Sequence, residues 1–461
     1  MAKLRKWQSN CKSLALRKYA EGQKHFLCLA TPGAGKSIMA AAVSKTLLDL
    51  GQVDLIVCFS PSRAIALGLS STFESYLNCR FDGKMGAVGH SFTYQSMSNL
   101  DSSFWQLFHD YRVLVVLDEI HHCAGDTFER ANAWGQMILK NVQSLATYTL
   151  ALTGTPWRTD AIPICLANYS HKGKVVCDYT YGLQEAIDSN VCRRPTLTLF
   201  DNDQLIGGTG SSTYKGIQHY LESPESIYSD LLQSNDVINH VIKAASNKLS
   251  ELQRAHPDAA GLIVAESIKH AQMICDLIAK TLNEDAILVT HHDPCAQDSI
   301  ESFRHSDDNW IVSVGMISEG TDIPRLRVCC HLSNVKTELY FRQILGRVIR
   351  NTDKHTARAF LFTLAHPVLV EYAERLKEEV PETKLAFEQT ERIAAPVNSK
   401  TNNSVTDLEA SKINSLRALG SNWSEAKLNE QHNRSSYESS SNNEYFQIVG
   451  KYRAMLFKPF G

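Results

Sequence analysis

The chain has 461 residues, 43% of them hydrophobic, which excludes a disordered chain and exceeds what one core holds, so two or more domains are expected. Lys plus Arg (47) against Asp plus Glu (49) leaves a net charge of -2, which excludes a protein that coats nucleic acid by bulk charge but allows a local basic channel. Twelve cysteines without a CxxC pair, an N-terminus (MAKLRKWQSNCK) with no apolar leader and no apolar run of about 18 residues argue against a disulfide frame, a secretory signal and a membrane span; a cytoplasmic protein with reduced thiols and no membrane contact is expected.

Short β-branched runs alternate with helical patterns along most of the chain, the signature of α/β layers built on parallel sheets. HFLCLAT (25–31), VDLIVCF (53–59), YRVLVVLDE (111–119) and TYTLALT (147–153) form a first set of strands. Each ends in small or polar residues, where parallel α/β sheets carry their functional loops. LTLF (197–200), GLIVAE (261–266), AILVT (286–290), WIVSVG (310–315) and RLRVCCHL (325–332) form a second set after Pro195. The boundaries expected are 1–195, 196–375 and 376–461. The Gly- and Ser-rich stretch 201–228 reads as a loop or insertion. Beyond residue 375 the sheet pattern gives way to helical segments such as EYAERLKEEV (371–380) and VTDLEASKINSLRAL (405–419), so a small, mainly helical extension is expected. NRSSYESSSNNE (433–444) reads as a flexible linker, and the apolar terminal segment YFQIVGKYRAMLFKPFG (445–461) as a docking element, on this chain or on a protein partner.

LATPGAGKS (29–37) lies between an apolar strand and a helical run, the context that a phosphate-binding loop requires. Thr31, Pro32, Gly33, Ala34 and Gly35 make the loop; the two glycines let backbone N–H groups turn onto phosphate oxygens at a helix N-terminus. Lys36 then reaches the β- and γ-phosphates and Ser37 ligates Mg²⁺. The general consensus has Gly where this chain has Ala30. VVLDEIHHCAG (115–125) supplies the second half. Asp118 ends a strand as an Mg²⁺ ligand does, and the adjacent Glu119 points the other way, toward an attacking water. The alternative, a zinc site at Glu119, His121, His122 and Cys123, needs three or four ligands on one point, whereas adjacent histidines splay apart.

Five motifs in order resemble those of superfamily 2 helicases and translocases over residues 1–365: ATPGAGKS as motif I, DEIH as the DExH form of motif II, LTGTPWR (152–158) as motif III, SEGTDIPRL (318–326) as motif V and QILGRVIR (343–350) as motif VI. The resemblance implies two tandem RecA-like phosphate-loop domains with parallel sheets and ATP bound between them with Mg²⁺. LRKWQ (4–8) is similar to the upstream adenine-reading motif, which assigns the base contact to Gln8 with Arg5 as helper. Gln343, Arg347 and Arg350 fall at helical spacing, so one face can present them to the γ-phosphate, with Arg350 the first choice for the arginine finger and Arg347 the second. His121, Thr153 and Thr155 are implied to couple the ATP site to the nucleic-acid groove, and Gly320 and Asp322 to sense nucleotide. FSPSR (59–63) and FTYQS (92–96) occupy the places of motifs Ia and Ib, so Ser60, Arg63, Thr93 and Gln95, with Ser318, Glu319 and Thr321, are implied to face the nucleic acid or the cleft. The DExH form and the TDIPRL and FRQILGRVIR segments resemble bacterial or phage motors related to restriction-enzyme subunits, which favours DNA over RNA. The alternatives are an RNA-directed helicase and a nucleotide-switched ATPase subunit of a larger complex acting on foreign DNA.

Overall fold

The computed structural model describes residues 3–155, 162–207, 212–224, 226–290, 292–315, 323–351, 358–380, 383–389, 447–448 and 451–459. The first unit is a parallel sheet of β1 (His25–Ala30), β2 (Leu55–Ser60), β3 (Gly89–Thr93), β4 (Val113–Asp118), β5 (Tyr148–Thr153) and β6 (Tyr179–Tyr181), in the order β3-β2-β4-β5-β1-β6. Strand β4 is apolar until its last residue because both faces of the sheet are covered. Leu114 and Val116 face one apolar cluster; Val113, Val115 and Leu117 face another. Helices α1 (Lys6–Ala20), α2 (Lys36–Asp49) and α3 (Arg63–Leu77) lie on the first of these faces, where Cys11, Met39, Val43, Leu69 and Phe73 are buried.

The second unit is an eight-stranded sheet of β7 (Arg194–Asn202), β8 (Ala260–Ala265), β9 (Ala286–Thr290), β10 (Trp310–Val314), β11 (Leu326–Leu332), β12 (Arg358–Leu364), β13 (Thr383–Gln389) and β14 (Tyr452–Pro459). Its order is β9-β10-β8-β11-β12-β7-β14-β13. The first six in that order are parallel, and β14 runs antiparallel between β7 and β13. Helix α4 (Asn235–Gln253) covers one face through Val237, Val241 and Leu249. Helices α5 (Glu338–Val348) and α6 (Pro367–Glu379) cover the other, tied together by Arg342 between Glu338 and Glu379 and by Arg375 on Glu338.

Two features differ from the sequence reading. Among the described residues of 376–461, only the end of α6 is helical; β13 and β14 are strands of the second sheet. The reason is packing: Ala454, Leu456 and Phe457 of β14 are buried, and the strand fills the place beside β7 that would otherwise be an open edge. The helical segment expected at 405–419 and the linker expected at 433–444 lie outside the described residues. The stretch 201–228, read as a loop, carries a short antiparallel pair, Leu205–Gly207 with Ser212–Tyr214, and the helical turn Ile217–Leu221, whose Ile217 N–H is capped by Asp201 at 2.7 Å.

A candidate active site between the two domains

Strand register brings the distant motifs to one edge. Leu29 of β1 pairs with Thr153 of β5, and Leu152 of β5 pairs with Asp118 of β4, so the phosphate-type loop, motif II and motif III leave the sheet side by side. The loop after β1 passes through Gly33 (φ 82°) and Gly35 (φ 92°), left-handed backbone that glycine takes without penalty. Neither position has room for a side chain: a Cβ on Gly33 would lie 2.6 Å from Arg350 Cγ, and one on Gly35 2.8 Å from Gln8 Nε2. Helix α2 starts at Lys36 with no acidic residue in its first turn, so its N–H groups and dipole are left for an anion. Ser37 is half-buried in that same turn, and Asp118 is buried at the end of β4.

Lys36 Nζ stands 3.0 Å from Glu119 Oε1 and 3.4 Å from the Ala30 carbonyl. Glu119 leaves the strand through a left-handed backbone (φ 49°, ψ 51°), a strained conformation for a residue with a side chain. That kink, rather than the alternation of a pleat, separates the two carboxylates. Glu119 Oε2 accepts the Gly154 N–H at 3.0 Å and lies 3.4 Å from His121 Nδ1. Burial by itself would raise the Glu119 carboxyl; the Lys36 ammonium, then the His121 ring and the Gly154 N–H, outweigh it and hold the group below the ordinary carboxylate range. Glu119 is therefore ionised at neutral pH.

His121 is buried, and its Nδ1 meets Thr153 Oγ1 at 2.9 Å. The Thr153 hydroxyl donates to the Thr155 carbonyl at 2.7 Å and accepts the Thr155 N–H at 3.0 Å. Its one proton is committed, so His121 Nδ1 is the donor in that contact. The three residues assigned to coupling thus form one buried chain that reaches Glu119. The His122 ring packs 4.4 Å from that of His121, and Cys123 is buried among apolar residues.

Helix α1 clasps the loop from the other side. Arg5 Nη1 donates to the Ala34 carbonyl at 2.8 Å, Gln8 Nε2 donates to the Gly35 carbonyl at 2.9 Å, and Gln8 Oε1 accepts the Arg5 N–H at 2.8 Å. Trp7 stacks on Tyr181 at 4.8 Å, and Thr31 N–H donates to the Tyr181 carbonyl at 3.1 Å.

The second domain closes the site through α5 and the residues after it. A Cβ on Gly346 would lie 2.6 Å from Pro32 Cβ, so the helix rests directly on the loop. Gln343 and Arg347 share that helix, but Arg350 does not. Helix α5 ends at Val348, and Arg350 forms an antiparallel bridge with Cys192. This corrects the reading of one common face. The β-branched pair Val348-Ile349 favours leaving the helix, and the 191–193 segment takes the backbone groups released there: Arg193 N–H donates to Ile349 O and Asn351 N–H to Val191 O.

The residues assigned to nucleic acid divide. Ser60 pairs with Thr93 in register at the ends of β2 and β3, so the two loops lie together. Ser60 itself is fully buried with its hydroxyl near the Ser62 and Phe92 carbonyls, at 3.3 and 3.4 Å, which corrects its assignment as a direct contact: it shapes the loop. Thr93 Oγ1 accepts the Ser96 N–H at 3.2 Å, capping a helical turn, while Arg63 and Gln95 are exposed. Ser318, Glu319, Gly320, Thr321 and Asp322 of motif V, with Trp157 and Arg158 of the motif III flank, lie outside the described residues. Sequence reasoning missed the contacts of Pro32 with Gly346 and of Arg193 with the end of α5; the pair Arg193-Arg194 reads as part of a domain boundary because nothing local marks its partners.

Residues 1–158 match the family described as type III restriction enzyme, res subunit, and residues 244–352 match the helicase conserved C-terminal domain. An uncharacterized protein of Mycobacterium leprae is 30% identical over 399 residues, 82% of this chain and 64% of that protein, so the chain spans about 64% of the length of that relative. A fragment of an HsdR subunit of a type I restriction enzyme from Vibrio vulnificus superposes with a TM-score of 0.55 at 16% identity, covering 80% of this chain and 65% of that one. The ATP-dependent type ISP restriction-modification enzyme LlaBIII bound to DNA superposes at 0.50 with 15% identity, covering 78% and 27%. At these identities the superpositions speak for the fold, and it is the fold read from the sheets: two RecA-like units in tandem. With the res-subunit domain in residues 1–158 and the helicase C-terminal domain in residues 244–352, in order on that fold, the chain carries both domains of a helicase related to restriction-enzyme motor subunits.

Proposed function

We propose that the chain hydrolyses ATP in the cleft between its two domains and uses the cycle to translocate on nucleic acid, DNA in the first place. The observation that carries this reading is the meeting of three elements on one loop: Lys36 ion-paired with Glu119 at 3.0 Å, and Arg350 of the second domain packed on Gly33. The residues fit a nucleotide with its metal. Gly33 and Gly35 bare the backbone, α2 offers an uncompensated N-terminus, and Ser37 and the buried Asp118 provide a hydroxyl and a carboxylate of the kind that holds Mg²⁺. Bound Mg²⁺ would neutralise phosphate charge. Lys36 would exchange Glu119 for a phosphate oxygen, and Glu119, kept ionised and fixed by Gly154, would accept a proton from the attacking water. Arg350 would stabilise charge on the transferring group, with Arg347 and Gln343 beside it. Gln8 has one N–H and one lone pair left for a base after its two contacts.

Release of the bridge between the domains after hydrolysis loosens the cleft, which turns turnover into motion. DNA is favoured by the restriction-enzyme character of the family match to residues 1–158 and by the DNA-bound neighbour. Arg63, the first residue of α3, and Gln95, in the turn after β3, are each exposed and would meet the backbone without reading sequence. The test is steady-state ATP hydrolysis without nucleic acid and with single-stranded DNA, duplex DNA or RNA. Stimulation by DNA is expected; stimulation by RNA alone would transfer the reading to an RNA-directed helicase, and none by any of them would favour a nucleotide-switched subunit.

A further inference from the structure

Arg193 has 1% of its surface exposed and is among the largest fully buried side chains in the molecule. It sits in the segment that leaves the first sheet and enters the second. Its guanidinium donates to three backbone carbonyls: Nη1 to Leu326 at 2.7 Å and to Val348 at 3.0 Å, and Nη2 to Pro324 at 2.9 Å. Val348 is the last residue of α5, so the cation lies where a helix C-terminus is most negative and its carbonyls lack partners. A planar fork can hold three carbonyls in fixed directions; a lysine cannot.

The backbone around Arg193 does related work. Cys192 forms the bridge with Arg350, Arg193 N–H bonds Ile349 O, and Asn351 binds the same segment twice, through its N–H to Val191 O at 3.2 Å and through Nδ2 to Asn190 O at 3.1 Å. On its other side the segment holds the first domain. The N–H groups of Val191 and Cys192 both donate to Ala186 O, and Cys192 Sγ lies 3.7 Å from the Pro32 carbonyl of the phosphate-type loop. Arg350 is thus carried by a rung that both domains share, and its Cγ comes to rest where a Gly33 side chain would be.

We infer that Arg193 is a positioning residue for Arg350: it fixes the end of α5 and the rung of residues 190–193 with 349–351, and so sets the finger against the loop. This rests on the role given to Arg350 above. Misplacement of a reacting group by about 1 Å can cost a hundredfold in rate, while ground-state binding need not change. The experiment is DNA-stimulated ATP hydrolysis of the full chain, read as kcat and KM for ATP, with thermal melting of each variant. Arg193→Ala should lower kcat about tenfold or more with KM within about twofold, and Arg193→Lys should recover only part of the loss. Arg193→Ala added to Arg350→Ala should cost nothing further. Asn351→Ala, which loosens the same rung without opening the buried site, should lower kcat in the same non-additive way and carries the test if Arg193→Ala does not fold. Losses that multiply in the double variant, or a lowered melting temperature with normal kcat, would overturn the positioning role while leaving Arg350 in place. A normal rate in Arg350→Ala would instead remove the finger assignment, and this inference with it.

Discussion

Glu119 occupies a strained backbone while its carboxylate is held by Lys36, His121 and Gly154. Holding a non-glycine residue there costs about 1–3 kcal/mol, which the surrounding contacts must offset. The same contacts keep the group ionised and fixed in place. Glu119→Gln keeps the shape and the bond from Gly154 but loses the charge. The expected result is near-normal nucleotide binding, measured with a fluorescent analogue, and a fall in turnover of about a thousandfold. Lys36→Ala should lose both binding and turnover. Turnover within tenfold of wild type for Glu119→Gln would remove Glu119 from the chemistry. Lys36 and the Asp118-Glu119 pair were legible in the sequence because the strand–loop–helix setting of the one and the strand-end setting of the other are local. The backbone break at Glu119 was not, because neighbours on other strands stabilise it.

At the scale of elements, the strands with apolar residues on both faces were legible from composition alone, and β4 is the clearest case. Strand β14 was not. Its partners on β7 lie some 250 positions earlier, as in Tyr452 with Asn202, and a short apolar run does not reveal whether it will pair, coil or dock. What fixes it includes His240 of α4, whose ring stacks on Tyr452 at 3.7 Å and 6° and meets Phe200 edge-on at 4.7 Å. Burial, with a smaller contribution from Lys243, lowers the His240 imidazole to about 4. Its folded value lies below its unfolded value of 6.5, so as pH falls the unfolded state takes the proton first. Stability is then fully present above about 6.5 and is lost progressively between 6.5 and about 4. His331 and His366 in the same domain are lowered to about 4 by burial and act in the same direction. His240→Phe keeps a stacked ring and removes one titration. Its melting temperature should fall less steeply than that of the wild type between pH 7 and pH 5; parallel curves would show that His240 does not contribute to the acid sensitivity.

For the whole molecule, the two units meet through Pro32 on Gly346 and Arg350 on Gly33, and one apolar cluster runs from Ala34 and Met39 of the first into Ile344 and Leu345 of the second. The terminal segment belongs to this architecture. Removing residues 376–461 takes away β13, β14 and the buried Leu376 and Phe457, and leaves the β7 edge unpaired. Full burial of a Phe or Leu is worth about 1.5–3 kcal/mol, so the loss reaches the scale of a domain's net stability. The truncated chain should melt well below the full chain and lose basal ATP hydrolysis. Unchanged melting and hydrolysis would mean that the segment serves only a partner.

In the proposed function the catalytic site is divided between the domains, with one essential charge supplied by the second. The most direct measurement is ATP turnover of Arg350→Ala beside wild type, at saturating ATP and DNA, with nucleotide affinity measured on the same preparations. Turnover is expected to fall about a thousandfold with affinity little changed. Turnover near the wild-type rate would contradict it.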